Sequence, residues 1–235
     1  MSFTFLVDNH ADSEVPGFDG PFSSLDLCKF ATEQFRISVR QAALQHSIEH
    51  SWMLFDSSAD MACTRSIYGD PSAVFDESIK MMKAATTERN ISFSLSHLFA
   101  VVNEYRIRNR KDRFSCGRMP WVMEPAVVVI LTDGKSLSES IKLTPGKISS
   151  GCELYVEPFR WDHRIFTFLV APKGDESASC HPDLESLSKA SGGEVFICRG
   201  KKEIIFEMKM FAQKVCKPSV VVKFTHLSAS NDLNN

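Results

Sequence analysis

Two almost continuous apolar runs, residues 2–7 (SFTFLV) and 127–132 (VVVILT), dominate the pattern of this chain. Runs of this length without polar alternation are typical of strands that are covered on both faces, as in a parallel sheet. An aspartate directly follows each run, Asp8 after the first and Asp133 after the second. Because ligands bind where the carboxyl ends of parallel strands meet, we expect the two carboxylates to lie at one rim.

The rest of the chain alternates between strand and helix patterns. Further strands are predicted at residues 52–55, 66–68, 164–170, 194–198 and 220–224. Helices are predicted where apolar positions recur every three or four residues, at 27–39, 74–85, 92–108, 182–190 and 201–215. This alternation predicts an α/β fold with a mainly parallel central sheet flanked by helices on both faces.

The chain is long enough to bury a full hydrophobic core, with 235 residues and 43% hydrophobic content. No linker rich in Pro, Gly or Ser and no internal repeat divides it. We therefore predict one domain over residues 1–226, followed by a disordered polar tail at 227–235.

Composition narrows the class of protein. The formal net charge of -2 creates no global field that would attract nucleic acid or an anionic membrane. The seven cysteines are odd in number, widely spaced and without a Cys-x-x-Cys pair, which argues against a disulfide framework or zinc ribbon. No apolar stretch reaches membrane-spanning length, and the first strand leaves no room for a secretory signal. A cytosolic or nuclear protein is expected.

The turns after the two apolar runs resemble the metal-ion-dependent adhesion site of the von Willebrand factor type A domain. The first turn reads Asp8-Asn9-His10-Ala11-Asp12, where that family has Asp-x-Ser-x-Ser. The second reads Thr132-Asp133-Gly134, which matches the Thr-Asp-Gly turn of the family. The resemblance implies that the end carboxylates are kept, while His10 and Asp12 replace the two serine ligands.

A third segment of that site also departs from the family pattern. Residues 87–91 read Thr-Glu-Arg-Asn-Ile, so that Arg89 falls where the resemblance places a threonine ligand. Magnesium prefers oxygen ligands and retained waters, for which small hydroxyls leave room. A guanidinium at this position could instead pair with Asp8 or Asp133. We therefore expect a metal-free, degenerate rim without a cofactor, formed by Asp8, His10, Asp12, Arg89 and Asp133.

Two other interpretations of the rim remain open. Arg89 could point into solvent, as long charged side chains in loops usually do. Alternatively, His10, Asp12 and Asp133 could form a new transition-metal site, because imidazole suits zinc or nickel better than magnesium.

The second half of the chain carries a more specific resemblance. Its segments read MEPAVVVILTDG (123–134), EPFRWD (157–162), SGG (191–193) and SVVVKF (219–224). Together they are similar to the amino-terminal type A domain of the Integrator complex subunit 6 family, and EPFRWD is the most distinctive segment. Members of that family are much longer, which implies a fragment or a shortened relative.

This resemblance implies a non-enzymatic scaffold subunit. Its partners would be the other subunits of a nuclear assembly that processes small nuclear RNA and attenuates transcription, together with protein phosphatase 2A. The alternative is a metal-dependent ligand-binding type A domain that uses the Asp8 and Asp133 rim.

Two further motifs suggest functions but also have simpler explanations. Residues 46–50 (HSIEH) match the inverted zinc-protease pattern, but they lie where the first helix is predicted to end, which favours a solvated helix end. No Gly-x-Ser-x-Gly elbow or phosphate loop accompanies them, so we expect no enzyme.

The second motif is the one dense basic stretch, which provides a possible contact surface for phosphates. Cations are also favourable at the carboxyl end of a helix, through its macrodipole alone. We consider direct nucleic-acid contact the weaker interpretation. The stretch contains Arg106, Arg108, Arg110, Lys111 and Arg113.

Overall fold

The apolar runs form the centre of a six-stranded sheet in the computed structural model of the chain. The structure describes residues 2–46, 51–57, 65–67, 73–85, 91–108, 126–134 and 163–216. The strands are β1 Ser2–Val7, β2 Ser51–Asp56, β3 Arg65–Ile67, β4 Ala126–Thr132, β5 His163–Ala171 and β6 Val195–Arg199. The helices are α1 Ser24–His46, α2 Ala73–Met81, α3 Ile91–Arg108, α4 Pro182–Ala190 and α5 Gly200–Val215, with a short 3-10 helix at Ala11–Glu14.

The strands lie in the order β3-β2-β1-β4-β5-β6. β1 pairs in parallel with both β2 and β4, and the pairs β4–β5 and β5–β6 are also parallel. Only β3, at the edge of the described sheet, runs antiparallel to its neighbour. The predicted α/β fold with a mainly parallel sheet is therefore confirmed, and the carboxyl ends of five strands share one edge.

Helices cover both faces of this sheet. One core contains buried side chains of α1, α2 and α5 against β1, β2, β4 and β5, and it is rich in aromatic rings such as Phe3, Phe35 and Trp52. The opposite core contains α3 and α4, with Leu98, Phe99 and Leu184 fully buried. Burial on both sides explains why β4 reads as a continuous apolar run. None of the described helices has the length and hydropathy needed to cross a membrane.

One helix ends earlier than the periodicity predicts. Residues 74–85 read as helical, yet α2 stops at Met81. The backbone beyond it turns towards the end of β1, where Ala85 N donates to Asn9 O at 2.6 Å and Lys83 O accepts from Asn9 Nδ2 at 2.9 Å. These tertiary hydrogen bonds replace the helical ones, so the local pattern alone gave the wrong boundary. The predicted strand 220–224 and the predicted tail lie outside the described residues.

Candidate functional site

The candidate site lies where β1 and β4 end side by side. Val7 is in register with Leu131, and Asp8 N donates to Leu131 O at 2.8 Å. This parallel register brings Asp8 to the same edge as Thr132 and Asp133. The strand-end carboxylates are thus placed together.

Asp8 is bound by two hydroxyl groups. Its carboxylate is buried, with only 3% of the residue exposed. Oδ1 accepts from Ser57 Oγ at 3.1 Å, and Oδ2 accepts from Thr132 Oγ1 at 2.5 Å. Hydrogen bonds to an ionised acceptor are stronger than neutral ones, so these two donors compensate much of the cost of burying Asp8. The carboxylate therefore connects β1 to the ends of β2 and β4.

Asn9 strengthens the same connection. Ser57 N donates to Asn9 Oδ1 at 3.1 Å, and Asn9 N donates to Ser57 Oγ at 3.2 Å. The single proton of the Ser57 hydroxyl has two acceptors within reach, Asp8 Oδ1 and Asn9 Oδ1 at 3.2 Å. Asp8 is the stronger acceptor because it is charged, while Asn9 Oδ1 already receives the Ser57 amide.

His10 contacts the second carboxylate. Its Nε2 atom lies 2.9 Å from Asp133 Oδ2, and the two side chains are 11% and 3% exposed. An ionised carboxylate can only accept a hydrogen bond, so Nε2 carries the proton in this contact. The residue that replaces a serine of the type A pattern thus bonds directly to the carboxylate of the Thr-Asp-Gly turn.

The Thr-Asp-Gly turn is shaped by its threonine and its glycine. Thr132 Oγ1 accepts from Gly134 N at 3.0 Å while it donates to Asp8. Gly134 has φ +74, and a Cβ atom there would lie 2.8 Å from Leu169 Cδ1. Only glycine adopts this left-handed conformation without strain, and a side chain would also displace Leu169. The turn therefore fixes the position of the Thr132 hydroxyl.

Asp12, another predicted site residue, is not brought into this arrangement. Asp12 is exposed in the short 3-10 helix, and its backbone carbonyl accepts from Val15 N. Within the part of the chain that the structure describes, no three His, Cys, Asp or Glu side chains are grouped to hold a metal ion. The structure therefore does not group Asp12 with His10 and Asp133, the ligand set considered for a transition metal. Arg89 lies outside the described residues.

The motifs away from the rim are only partly described. α1 ends at His46, and the remainder of the HSIEH motif lies outside the described residues. α3 ends at Arg108, so Arg106 and Arg108 lie in its last turn, and the structure does not describe their side chains. Arg110, Lys111 and Arg113 lie outside the described residues.

Sequence reasoning missed Ser57 and Asn9, and it assigned Thr132 to a turn without a partner. The signal for Ser57 was its position directly after β2, because a residue that follows a parallel strand reaches the common edge. The position of Ser57 predicts a contact with Asp8 only when β2 is known to lie beside β1.

The fold of the chain that carries this site is that of a von Willebrand factor type A domain. The VWA domain of SpRpn10 superposes with a TM-score of 0.52 at 9% identity, over 94% of this chain and 98% of that chain. The PilB minor pilin from Streptococcus sanguinis gives a TM-score of 0.50 at 11% identity, over 92% of this chain and 61% of the pilin. At such low identity these similarities concern the fold alone.

Sequence similarity is more specific than the fold. The Integrator complex subunit 6 homolog of Dictyostelium discoideum is 26% identical over 238 residues, which cover 97% of this chain and 21% of that protein. The human Integrator complex subunit 6-like protein is 28% identical, over 94% of this chain and 27% of its own length. No protein-family model matches the chain. The chain is similar to Integrator complex subunit 6 proteins over nearly its whole length, and it spans about a quarter or less of the length of these relatives.

Proposed function

We propose that the chain is a non-catalytic, protein-interacting subunit of the Integrator complex. The observation that carries this proposal is the similarity to Integrator complex subunit 6 proteins over 94–97% of the chain. Nuclear localisation, a role in small nuclear RNA 3′-end processing and transcription attenuation, and recruitment of protein phosphatase 2A are parts of the same proposal. They derive from the family resemblance.

The chemistry of the described residues supports a scaffold. A hydroxyl nucleophile needs an adjacent base, but Ser57 and Thr132 both donate to the Asp8 carboxylate, and neither contacts a histidine within the described residues. A cysteine nucleophile needs a lowered pKa. Burial instead raises the pKa of Cys198 to about 12 and the pKa of Cys180 to about 11.

We also propose that the rim is a degenerate adhesion site that is stable without a metal ion. Hydroxyl protons of Ser57 and Thr132 occupy both oxygens of Asp8, and the imidazole of His10 contacts Asp133. A divalent cation would have to displace these protons and the imidazole before it reached the carboxylates. The alternative, a metal-dependent ligand-binding domain, is supported by the clustering of carboxylate and hydroxyl oxygens at this edge, because such oxygens suit magnesium.

Affinity purification of the tagged full-length protein from its own cells tests the proposed function. We expect the other Integrator subunits and protein phosphatase 2A to co-purify. A matched variant, Val129→Asp, places a charge in the centre of β4, where the residue is 0% exposed, and should abolish co-purification by unfolding the domain. Absence of Integrator subunits from the wild-type purification would contradict the proposal.

A further inference from the structure

A second feature of the same sheet edge is an open cavity of about 850 Å³. It lies beyond the carboxyl ends of β5 and β6, away from the Asp8 rim. Asp19 and Phe22 line it from the loop after β1, Lys173 lines it from the loop after β5, and the start of α5 closes one side. Segments that are distant in the chain thus converge on a space large enough to hold several side chains of a ligand.

Cationic side chains outnumber carboxylates in the lining of this cavity by four to three. Two of its three carboxylates already accept backbone amides: Glu203 Oε2 from Arg199 N at 2.8 Å, and Asp19 Oδ1 from Lys173 N at 3.3 Å. Among the described residues, no ion pair involves any of the four cationic side chains of the cavity. These side chains are Lys173, Arg199, Lys201 and Lys202.

Two of the four cations are held in place by uncharged partners. Lys201 Nζ lies 3.1 Å from the centroid of the Phe22 ring and 5.0 Å from that of Phe30, which fixes the ammonium by a cation–π interaction. Arg199 Nε donates to Asp175 O at 2.8 Å, which orients the guanidinium. Lys201 and Arg199 are therefore preorganised, and the exposed ammonium groups of Lys173 and Lys202 are the ones that can contact a negatively charged ligand.

An exposed apolar stripe continues from the cavity along α5. Lys202, Phe206 and Met210 are four residues apart and lie on one helix face, with Ile205 beside them. Ile205, Phe206 and Met210 are 46%, 61% and 49% exposed, whereas Ile204, Met208 and Phe211 form the buried face of the same helix. Large apolar side chains exposed on a surface mark an interaction site more often when they are contiguous, as they are here.

We propose that the cavity and the outer face of α5 form one docking surface for an acidic peptide segment of a partner protein. Carboxylates of the segment would enter the cavity near Lys173 and Lys202, and adjacent apolar side chains would cover Phe206 and Met210. The apolar stripe favours a peptide over a nucleic acid, because the phosphates and sugars of a nucleic acid do not bury the aliphatic side chains of Ile205 and Met210. This inference rests on the proposed protein-interaction role and names the surface that performs it.

Fluorescence anisotropy with the full chain and a labelled peptide, a run of glutamates followed by leucine and phenylalanine, tests the surface. The double charge reversal Lys173→Glu with Lys202→Glu should weaken binding about tenfold, because exposed cations then repel the ligand. The double change Phe206→Ser with Met210→Ser should weaken it by a similar factor of about ten. All four side chains are exposed, so the domain should stay folded, which circular dichroism would verify.

Matched control variants carry the same types of substitution outside the proposed docking surface. Lys80→Glu with Lys189→Glu reverses two exposed lysines on α2 and α4, and Val15→Ser with Met81→Ser removes two exposed apolar side chains. Both controls should bind the peptide as the wild type does.

The proposal would be overturned if the wild type did not bind the peptide, or if the control variants lost as much affinity for the peptide as the test variants. It would also be overturned if single-stranded RNA competed with the peptide and only the lysine variant abolished that competition. If Integrator subunits did not co-purify, the proposed function would be contradicted. The peptide-binding measurement would still test the docking surface independently.

Discussion

Two sites lie on one edge of the sheet, the rim at the ends of β1 and β4 and the cavity at the ends of β5 and β6. They differ in the environment of their charged side chains. At the rim, the Asp8 carboxylate is buried and bound by the hydroxyls of Ser57 and Thr132. At the cavity, Lys173 and Lys202 are exposed and form no ion pair among the described residues. The carboxylate of the rim is thus bound by side chains of the chain itself, whereas these two lysines of the cavity are not paired within the described residues.

This difference indicates which part of the edge stabilises the domain and which part can bind. A buried carboxylate without donors would cost several kcal/mol, so the groups around Asp8 are required by the fold itself. Exposed lysines are hydrated and screened, so their positions cost the fold little. Substitutions at the rim should therefore change stability, and those at the cavity should change binding.

The largest expected effect on stability at the rim concerns Asp8. Asp8→Ala removes the acceptor of two buried hydroxyls and should lower the free energy of unfolding by about 3 kcal/mol. Urea denaturation followed by circular dichroism measures it. Asp12→Ala, at the exposed carboxylate four residues later, should change stability by less than about 0.5 kcal/mol. An equal change in the free energy of unfolding for the two substitutions would show that the hydrogen bonds of Asp8 do not stabilise the ends of the strands.

Thr132→Val should cost less, about 2 kcal/mol, because it removes one donor to Asp8 and the acceptor of Gly134 N while keeping the side-chain volume. The chain offers a matched control at Thr4, whose Oγ1 is buried without a hydrogen-bond partner among the described residues. Thr4→Val should be neutral or stabilising, because it replaces an unsatisfied hydroxyl with a methyl group. Chemical denaturation of both variants compares them, and a loss at Thr4 as large as at Thr132 would contradict the assigned role of the Thr132 hydroxyl.

A smaller effect is expected at the contact between His10 and Asp133. A double-mutant cycle with His10→Ala and Asp133→Ala should give a coupling energy of about 1 kcal/mol, since the imidazole is partly accessible to solvent. Denaturation midpoints of the two single variants and the double variant supply the cycle. Additive effects of the two substitutions would mean that the contact contributes nothing.

The smallest effect on stability is expected on the outer face of α5. Phe206→Ser should lower the free energy of unfolding by less than about 0.5 kcal/mol, because the ring is 61% exposed. Phe211→Ala on the same helix should cost about 3 kcal/mol or more, because that ring is buried against Phe35 and Phe166. Thermal unfolding of the two variants separates a docking residue from a core residue. A large loss for Phe206→Ser would assign this ring to the core.

The sequence predicted the fold class because apolar periodicity determines which segments become strands and helices. It also predicted which residues follow β1 and β4, and the structure places Asp8 and Asp133 at their common edge. It did not predict Ser57 as a partner of Asp8, because that contact depends on β2 lying beside β1, and strand order is not encoded in periodicity. The cavity was missed for the same reason: Phe22, Lys173 and Lys202 come from three separate loops and helix ends.

We propose that the carboxylates of the rim are occupied by side chains of the chain itself and need no metal ion. Isothermal titration of the full chain with magnesium or manganese tests it most directly. We expect no saturable heat at micromolar to low millimolar metal, because the Ser57, Thr132 and His10 side chains already occupy the carboxylates. A saturable site in that range that Asp133→Ala abolishes would contradict the metal-free rim and support the metal-dependent ligand-binding function instead.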